Sequence, residues 1–155
     1  MHQSRIGAAV IGGVIAGVVF GTMMLMMSAP TPDGGEMSMI AMVGMIVGSP
    51  TVIAGWLYHL FNSAVIGGLF GWLLGSRVWG YGSGLGWGAA YGFGWWILGG
   101  LILMPVMLGM SPFAPLTMAG MQPVAMGSLM GHLIFGLILG GLFVALRRPI
   151  ALAHA

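Results

Sequence analysis

The sequence predicts an all-α fold: a four-helix transmembrane bundle made from two parallel two-helix repeats. The first observation is composition, because 59% of the residues are hydrophobic and 4% are charged, whereas a soluble domain carries roughly 25% charged residues. The second is four apolar segments of about 20 residues, the length that spans a bilayer. The third is an internal match after a shift of 73 residues. An even number of spans per unit keeps both units in one orientation, which predicts a pseudo-twofold axis along the membrane normal.

The four predicted spans are about Ile6 to Met27, Thr51 to Gly75, Leu85 to Met107, and Val124 to Leu146. The first follows Arg5 as a signal peptide would, but its apolar run is longer than the usual 7–15 residues. We therefore expect a retained helix. The apolar stretch 38–48 is too short to span a membrane and is expected to form an interfacial or re-entrant helix.

Charged residues predict the orientation of the spans. Arg5, Arg77, Arg147 and Arg148 fall on one side of the four spans, and Asp33 and Glu36 fall on the other. The positive-inside rule then places both termini in the cytoplasm. An aromatic belt is expected on that side, formed by Trp72, Trp79, Tyr81 and Trp87.

The internal match predicts a single transmembrane domain over residues 1–155, with repeats at 1–75 and 76–148. Matched pairs include Gly13 with Gly86, Phe20 with Phe93, Pro32 with Pro105, Pro50 with Pro123, His59 with His132, and Phe70 with Phe143. Biased composition inflates matches between glycines, but it does not easily align histidine, proline and phenylalanine together. The second and fourth spans are thus expected to be equivalent.

The two matched histidines, His59 and His132, are the main candidate site. Proline favours the first turn of a helix, so Pro50 and Pro123 are expected near the starts of their spans. Each histidine follows nine residues later, which at about 1.5 Å per residue is near the middle of a 30 Å hydrocarbon core. An ionisable residue at that depth is a functional-site candidate by default.

Several chemistries fit this pair. Ser63 and Gly136 are small and lie one helical turn after each histidine, which would leave room for a flat tetrapyrrole. A haem b with His59 and His132 as iron ligands, or a chlorin, is one hypothesis. It would make the protein a non-catalytic electron-transfer subunit of a larger redox complex. The alternatives are another metal, a proton role, or histidines that only bond between helices in a structural or assembly subunit.

Methionine gives a second signal. Apart from Met1, every methionine lies within residues 23–45 or 104–130, which the topology places in the outer half of the protein. Thioethers suit Cu(I), so Cu(I) handling is a further hypothesis. Flexible core packing is the alternative.

Glycine spacing predicts close contacts between helices. Small residues recur every fourth position at Gly13, Gly17 and Gly21, at Gly67, Gly71 and Gly75, and at Gly80, Gly84, Gly88 and Gly92. Such faces also suit self-association or contact with other membrane subunits. The absence of Cys excludes disulfides and thiolate sites. The dispersed arginines exclude a nucleic-acid surface, and with both acids in one loop no paired carboxylates suggest an enzyme.

The string HLxxSxxxGGLFG, from His59 to Gly71, and its partner at His132 carry a family resemblance. They resemble small bacterial inner-membrane proteins of the YagU-like type. That resemblance covers mainly the second and fourth spans. It implies a multi-pass protein of the bacterial inner membrane and no catalytic residue.

Overall fold

A computed structural model describes residues 2–31 and 33–147, and this part of the chain is mostly helical. The elements in order are α1 (His2–Leu25), β1 (Ser28–Pro30), β2 (Glu36–Ser38), α2 (Met39–Met45), α3 (Val52–Leu73), α4 (Tyr81–Trp95), a π-helix (Trp96–Leu103), α5 (Met104–Met107), α6 (Ala114–Thr117) and α7 (Gln122–Arg147). Pro32 and Arg148, used in the predictions above, lie outside the described residues.

Four helical stretches are long and apolar enough to cross a membrane, as predicted. They are Arg5–Leu25, Val52–Leu73, Tyr81–Met107 and Gln122–Arg147. The predicted starts of the second and fourth spans are also confirmed. Thr51 caps α3 by accepting a hydrogen bond from the backbone nitrogen of Ala54 at 3.2 Å, and Pro123 lies in the first turn of α7.

A β-hairpin that the sequence did not predict follows α1. Its strands pair antiparallel, with Ala29 opposite Met37. In the turn, the Thr31 side chain hydrogen-bonds the Asp33 carboxylate and lowers the pKa of that acid. The hairpin leads directly into α2, whose residues from Met39 to Gly44 are buried. The predicted short helix in 38–48 is therefore present as α2, and it is packed into the protein.

Glycine contacts hold the long helices together in pairs. Between α1 and α3, a Cβ added to Gly13 would lie 2.8 Å from the Cα of Gly67. Between α4 and α7, a Cβ added to Gly88 would lie 2.9 Å from the carbonyl carbon of Gly136. Neither distance leaves room for a side chain, so these backbones touch directly.

The two pairs join through α1 and α7, which pack along one another. This contact places the Cβ of a substituted Gly12 at 3.4 Å from Leu139. The outer helices α3 and α4 do not pack backbone to backbone; the Tyr91 hydroxyl reaches across and donates to the Ile66 carbonyl at 2.7 Å. The space between α3 and the third span holds the candidate site.

Candidate functional site

His59 links α3 to α1. Its Nε2 lies 2.9 Å from the Gly17 carbonyl oxygen. Because a carbonyl oxygen can only accept, Nε2 carries the proton and Nδ1 of the neutral ring is an acceptor. The helices approach closely here because both neighbours are small: a Cβ on Gly17 would lie 2.5 Å from the Cβ of Ser63. The backbone of α1 therefore fills the space beside Ser63.

His132 bonds within its own helix instead. Its Nδ1 lies 2.8 Å from the Ser128 carbonyl oxygen, so Nδ1 is the donor. This leaves Nε2 as an unprotonated acceptor in the neutral ring. A Cβ added to Gly99 would lie 4.0 Å from that Nε2, which therefore faces the π-helix.

Phe20 of α1 contacts both imidazoles. The centroid of its ring lies 5.5 Å from that of His59 and 4.8 Å from that of His132, edge to face in both cases. Phe20 is 5% exposed. Its ring fits against α7 because Gly131 has no side chain there; an added Cβ would lie 2.8 Å from its Cζ. The structure thus brings the two histidines to one site through a shared aromatic neighbour.

Both histidines line a cavity of about 300 Å³, here named the histidine cavity. Its walls are α3 on one side and the π-helix with α5 on the other, and Phe20, Trp95 and Phe135 add aromatic surface. The polar side chains in the lining include Asn62, Ser63 and Ser128. Of the sequence-predicted site residues, His59, His132 and Ser63 line this cavity, whereas Gly136 does not.

The π-helix shapes one wall of the histidine cavity. A π-helix bonds each residue to the fifth one along, which widens the turn, and such segments are frequent at functional sites. Gly99 and Gly100 lie within it and line the cavity. It is anchored to α7 by the indole of Trp96, whose Nε1 donates to the Ala125 carbonyl at 3.1 Å.

The contacts around the two histidines bear on the haem and chlorin hypotheses. Phe20 packs against both rings, and the Nε2 of His59 is bonded to α1. The room predicted beside Gly136 is taken by the backbone of Gly88. Among the described residues, no three His, Asp or Glu side chains gather as a metal site. For a flat tetrapyrrole to lie between the two histidines, these neighbouring groups would have to move; the tetrapyrrole hypothesis stays a prediction.

The sequence reasoning missed several residues of the site. Phe20 is brought in by α1, and Gly99, Gly100 and Ser128 come from two other elements. One signal was available for Ser128, since it precedes His132 by four residues and so lies one helical turn away on the same face. The pairing of Gly99 with Gly100 was a weaker sign of an irregular helix.

Comparison with known proteins does not identify a family for this chain. No family model matches the chain, and no curated protein or solved structure does so. The function therefore has to be argued from the geometry of the cavity itself.

Proposed function

We propose that this is a four-span membrane protein whose histidine cavity binds a small, mainly apolar molecule with a hydrogen-bond donor, such as a phenol or hydroquinone head group. The observation that carries the proposal is the cavity of about 300 Å³ lined by both histidines. Ligand pockets usually measure about 300–1,000 Å³ and combine apolar walls with a few polar groups.

The protonation of His132 favours a ligand that carries a hydrogen-bond donor. Its Nδ1 is committed to the Ser128 carbonyl, so its Nε2 accepts. A ligand hydroxyl at Nε2 would gain a hydrogen bond in a site shielded from water, where a polar contact is stronger than in bulk solvent. The aromatic rings of Phe20 and Trp95 provide flat apolar surface for a ring-shaped ligand.

The proposed setting is a bacterial-type inner membrane, as the resemblance to YagU-like proteins implies. Arg5, Arg77 and Arg147 lie at the ends of their spans on one side, and Asp33 and Glu36 lie in the hairpin on the other. We infer that the arginine side is cytoplasmic. The apolar exposed surface fits contact with lipid, and the protein is a candidate subunit of a larger membrane complex.

We further infer that the two helix pairs arose by duplication of one unit. Gly67 of α3 packs against Ala9 and Gly13, and Gly140 of α7 packs against Gly84 and Gly88. With Gly67 aligned to Gly140, the second helices of the two units match at a shift of 73 residues along the sequence. The first helices, with Gly13 aligned to Gly88, match at a shift of 75 residues.

The proposed symmetry is incomplete, and the histidine cavity lies where it fails. An exact twofold axis would repeat the α1–α7 packing between α4 and α3. Those helices instead stand apart, and the cavity occupies the gap. Divergence of one interface after duplication would thus have created the binding site.

Self-association remains a proposal as well. The glycines of α4 at positions 84, 88 and 92 are used within the protein against α7. On the opposite face, Gly82, Gly86, Ala90 and Gly94 are exposed and spaced four apart. This spacing suits contact with a second membrane helix.

The ligand proposal is tested with 4-butylphenol and its methyl ether, which has the same apolar body but no donor. Calorimetry on the purified protein is expected to show that the phenol binds about tenfold more tightly than the ether. A tenfold ratio of Kd corresponds to about 1.4 kcal/mol, which is the net contribution of about one hydrogen bond. His132→Leu is expected to remove this preference.

Two glycine variants supply the matched control. Gly99→Leu should fill the cavity and block both compounds, because a Cβ there already lies 3.6 Å from the Trp95 ring. Gly94→Leu is on the same span, where an added Cβ meets nothing within 4 Å, and should leave binding unchanged. Equal binding by both variants would reject the cavity as a ligand site.

A further inference from the structure

Five methionines from four separate segments line a second, smaller cavity of about 30 Å³, here named the methionine cavity. Two come from α2, one from α5, and the others from the segments before and after α6: Met39, Met42, Met104, Met110 and Met121. The uneven distribution of methionine along the sequence therefore becomes a cluster in the fold.

The methionine cavity is shielded and poor in partners for water. Met39, Met42 and Met121 are 3%, 8% and 5% exposed. A space above about 10–15 Å³ can admit a water molecule, but a buried water needs two to four polar partners. Among the described lining residues, Ser128 provides the one polar side chain.

We propose that the methionine cavity is a binding site for Cu(I). Thioether sulfur is a soft ligand that selects Cu(I), whereas Mg²⁺ and Ca²⁺ require oxygen ligands and Zn²⁺ is bound by Cys, His and carboxylates. No carboxylate or imidazole is among the described lining residues. A neutral cavity also favours a monovalent ion over a divalent one, because burying charge without an opposite charge is costly.

The backbone around the sulfurs is held in place, which lowers the cost of ordering the ligands on binding. The α2 helix is pressed against α3, where a Cβ on Gly55 would lie 2.7 Å from the carbonyl carbon of Ile40. The Met39 nitrogen donates to the Met27 carbonyl at 2.8 Å, and the Met110 nitrogen donates to the Pro105 carbonyl at 2.8 Å.

The methionine cavity adjoins the histidine cavity. Met39, Met104, Gly100 and Ser128 line both. An ion that left the thioethers inward would meet the Nε2 of His132 as its next ligand. The copper site does not depend on the ligand proposed for the histidine cavity, and each can fail without the other.

To test this, the purified protein is loaded with Cu(I) under anaerobic conditions. It is then challenged with a Cu(I) chelator, desalted and analysed for bound metal. The wild type is expected to retain about one ion per chain, held by a shell of sulfur alone in X-ray absorption. The variant with Met39→Leu, Met42→Leu and Met121→Leu conserves side-chain volume. It is expected to bind at least about tenfold more weakly.

The matched control removes three methionines outside the cavity lining: Met26→Leu, Met126→Leu and Met130→Leu, which are 83%, 60% and 59% exposed. This variant should retain copper as the wild type does. Equal loss from both triple variants, no retention by the wild type, or nitrogen in the metal shell would each overturn the proposal. Should the cavity triple variant not fold, Met42→Leu alone is expected to weaken binding measurably, and unchanged binding there would count against the site.

Discussion

Replacing Gly88 with alanine is expected to force α4 and α7 apart. The added Cβ would press on the carbonyl oxygen of Gly136, 2.9 Å from its carbonyl carbon and 3.3 Å from the Cα of Gly140. These are backbone atoms, so no side-chain rotation can relieve the contact. Gly86 lies two residues earlier on the same helix, and an added Cβ there meets nothing within 4 Å.

The size of the effect follows from these distances. Ordinary contact begins near 3.4 Å, so the helices must separate by about 0.5 Å or more, and a gap of that size forfeits a quarter to a half of each van der Waals contact. Overpacking of this kind costs about 1–3 kcal/mol. Alanine gains up to about 1 kcal/mol over glycine within a helix, and this gain cancels from the comparison because both variants carry it. The two variants should thus differ by about 1–3 kcal/mol.

The assay is unfolding by sodium dodecyl sulfate in mixed micelles, followed by tryptophan fluorescence and circular dichroism. Gly88→Ala should unfold at lower denaturant than the wild type, and Gly86→Ala at equal or higher denaturant. If the free energies of unfolding of the two variants agree within about 0.5 kcal/mol, α4 does not pack against α7 through Gly88.

Two further predictions concern the histidines and the orientation. His59→Leu removes the hydrogen bond to Gly17 and is expected to cost about 0.6 kcal/mol, up to about 1.7, in the same titration. His132→Leu should weaken helix pairing less, because its bond lies within α7, so a larger loss there would contradict this assignment. The chain has no Cys, so Asp33→Cys and Ser76→Cys each supply a single thiol. A membrane-impermeant maleimide should label Asp33→Cys in intact cells and Ser76→Cys after lysis, and the reverse pattern would reject the orientation.

The spans could be predicted from the sequence because length and hydropathy are local properties. Pro123 marked a helix start for a similarly local reason: proline has no backbone N–H and its fixed φ suits the first turn, where it lies in α7. Pro50 marked the other start less exactly, since it precedes the Thr51 cap of α3. The pairing of His59 with His132 in one site was also expected from their matched positions, although what lies beside them was not.

The residues that surround the two histidines could not be predicted in the same way, because they depend on which face of each helix is buried. Several glycine faces compete on α4, and the sequence does not say which one meets α7. The ungapped repeat matched Phe20 to Phe93, yet Phe20 is 5% exposed and Phe93 is 46% exposed. A difference of two residues in register turns a helix by about 200°, which is enough to place one of two matched residues in the core and the other at the surface.

The π-helix has a consequence for comparing this chain with any relative. A π-helical turn holds about one residue more than an α-helical turn, so deleting one residue between Trp95 and Met104 would let this segment return to an α-helix. Met104 could then keep its position, but the widened turn that brings Gly99 and Gly100 into the cavity wall would be lost. The number of residues in this interval is therefore as informative as their identity. A relative that keeps every side chain of the two cavities but has a one-residue gap here is expected to have a differently shaped wall.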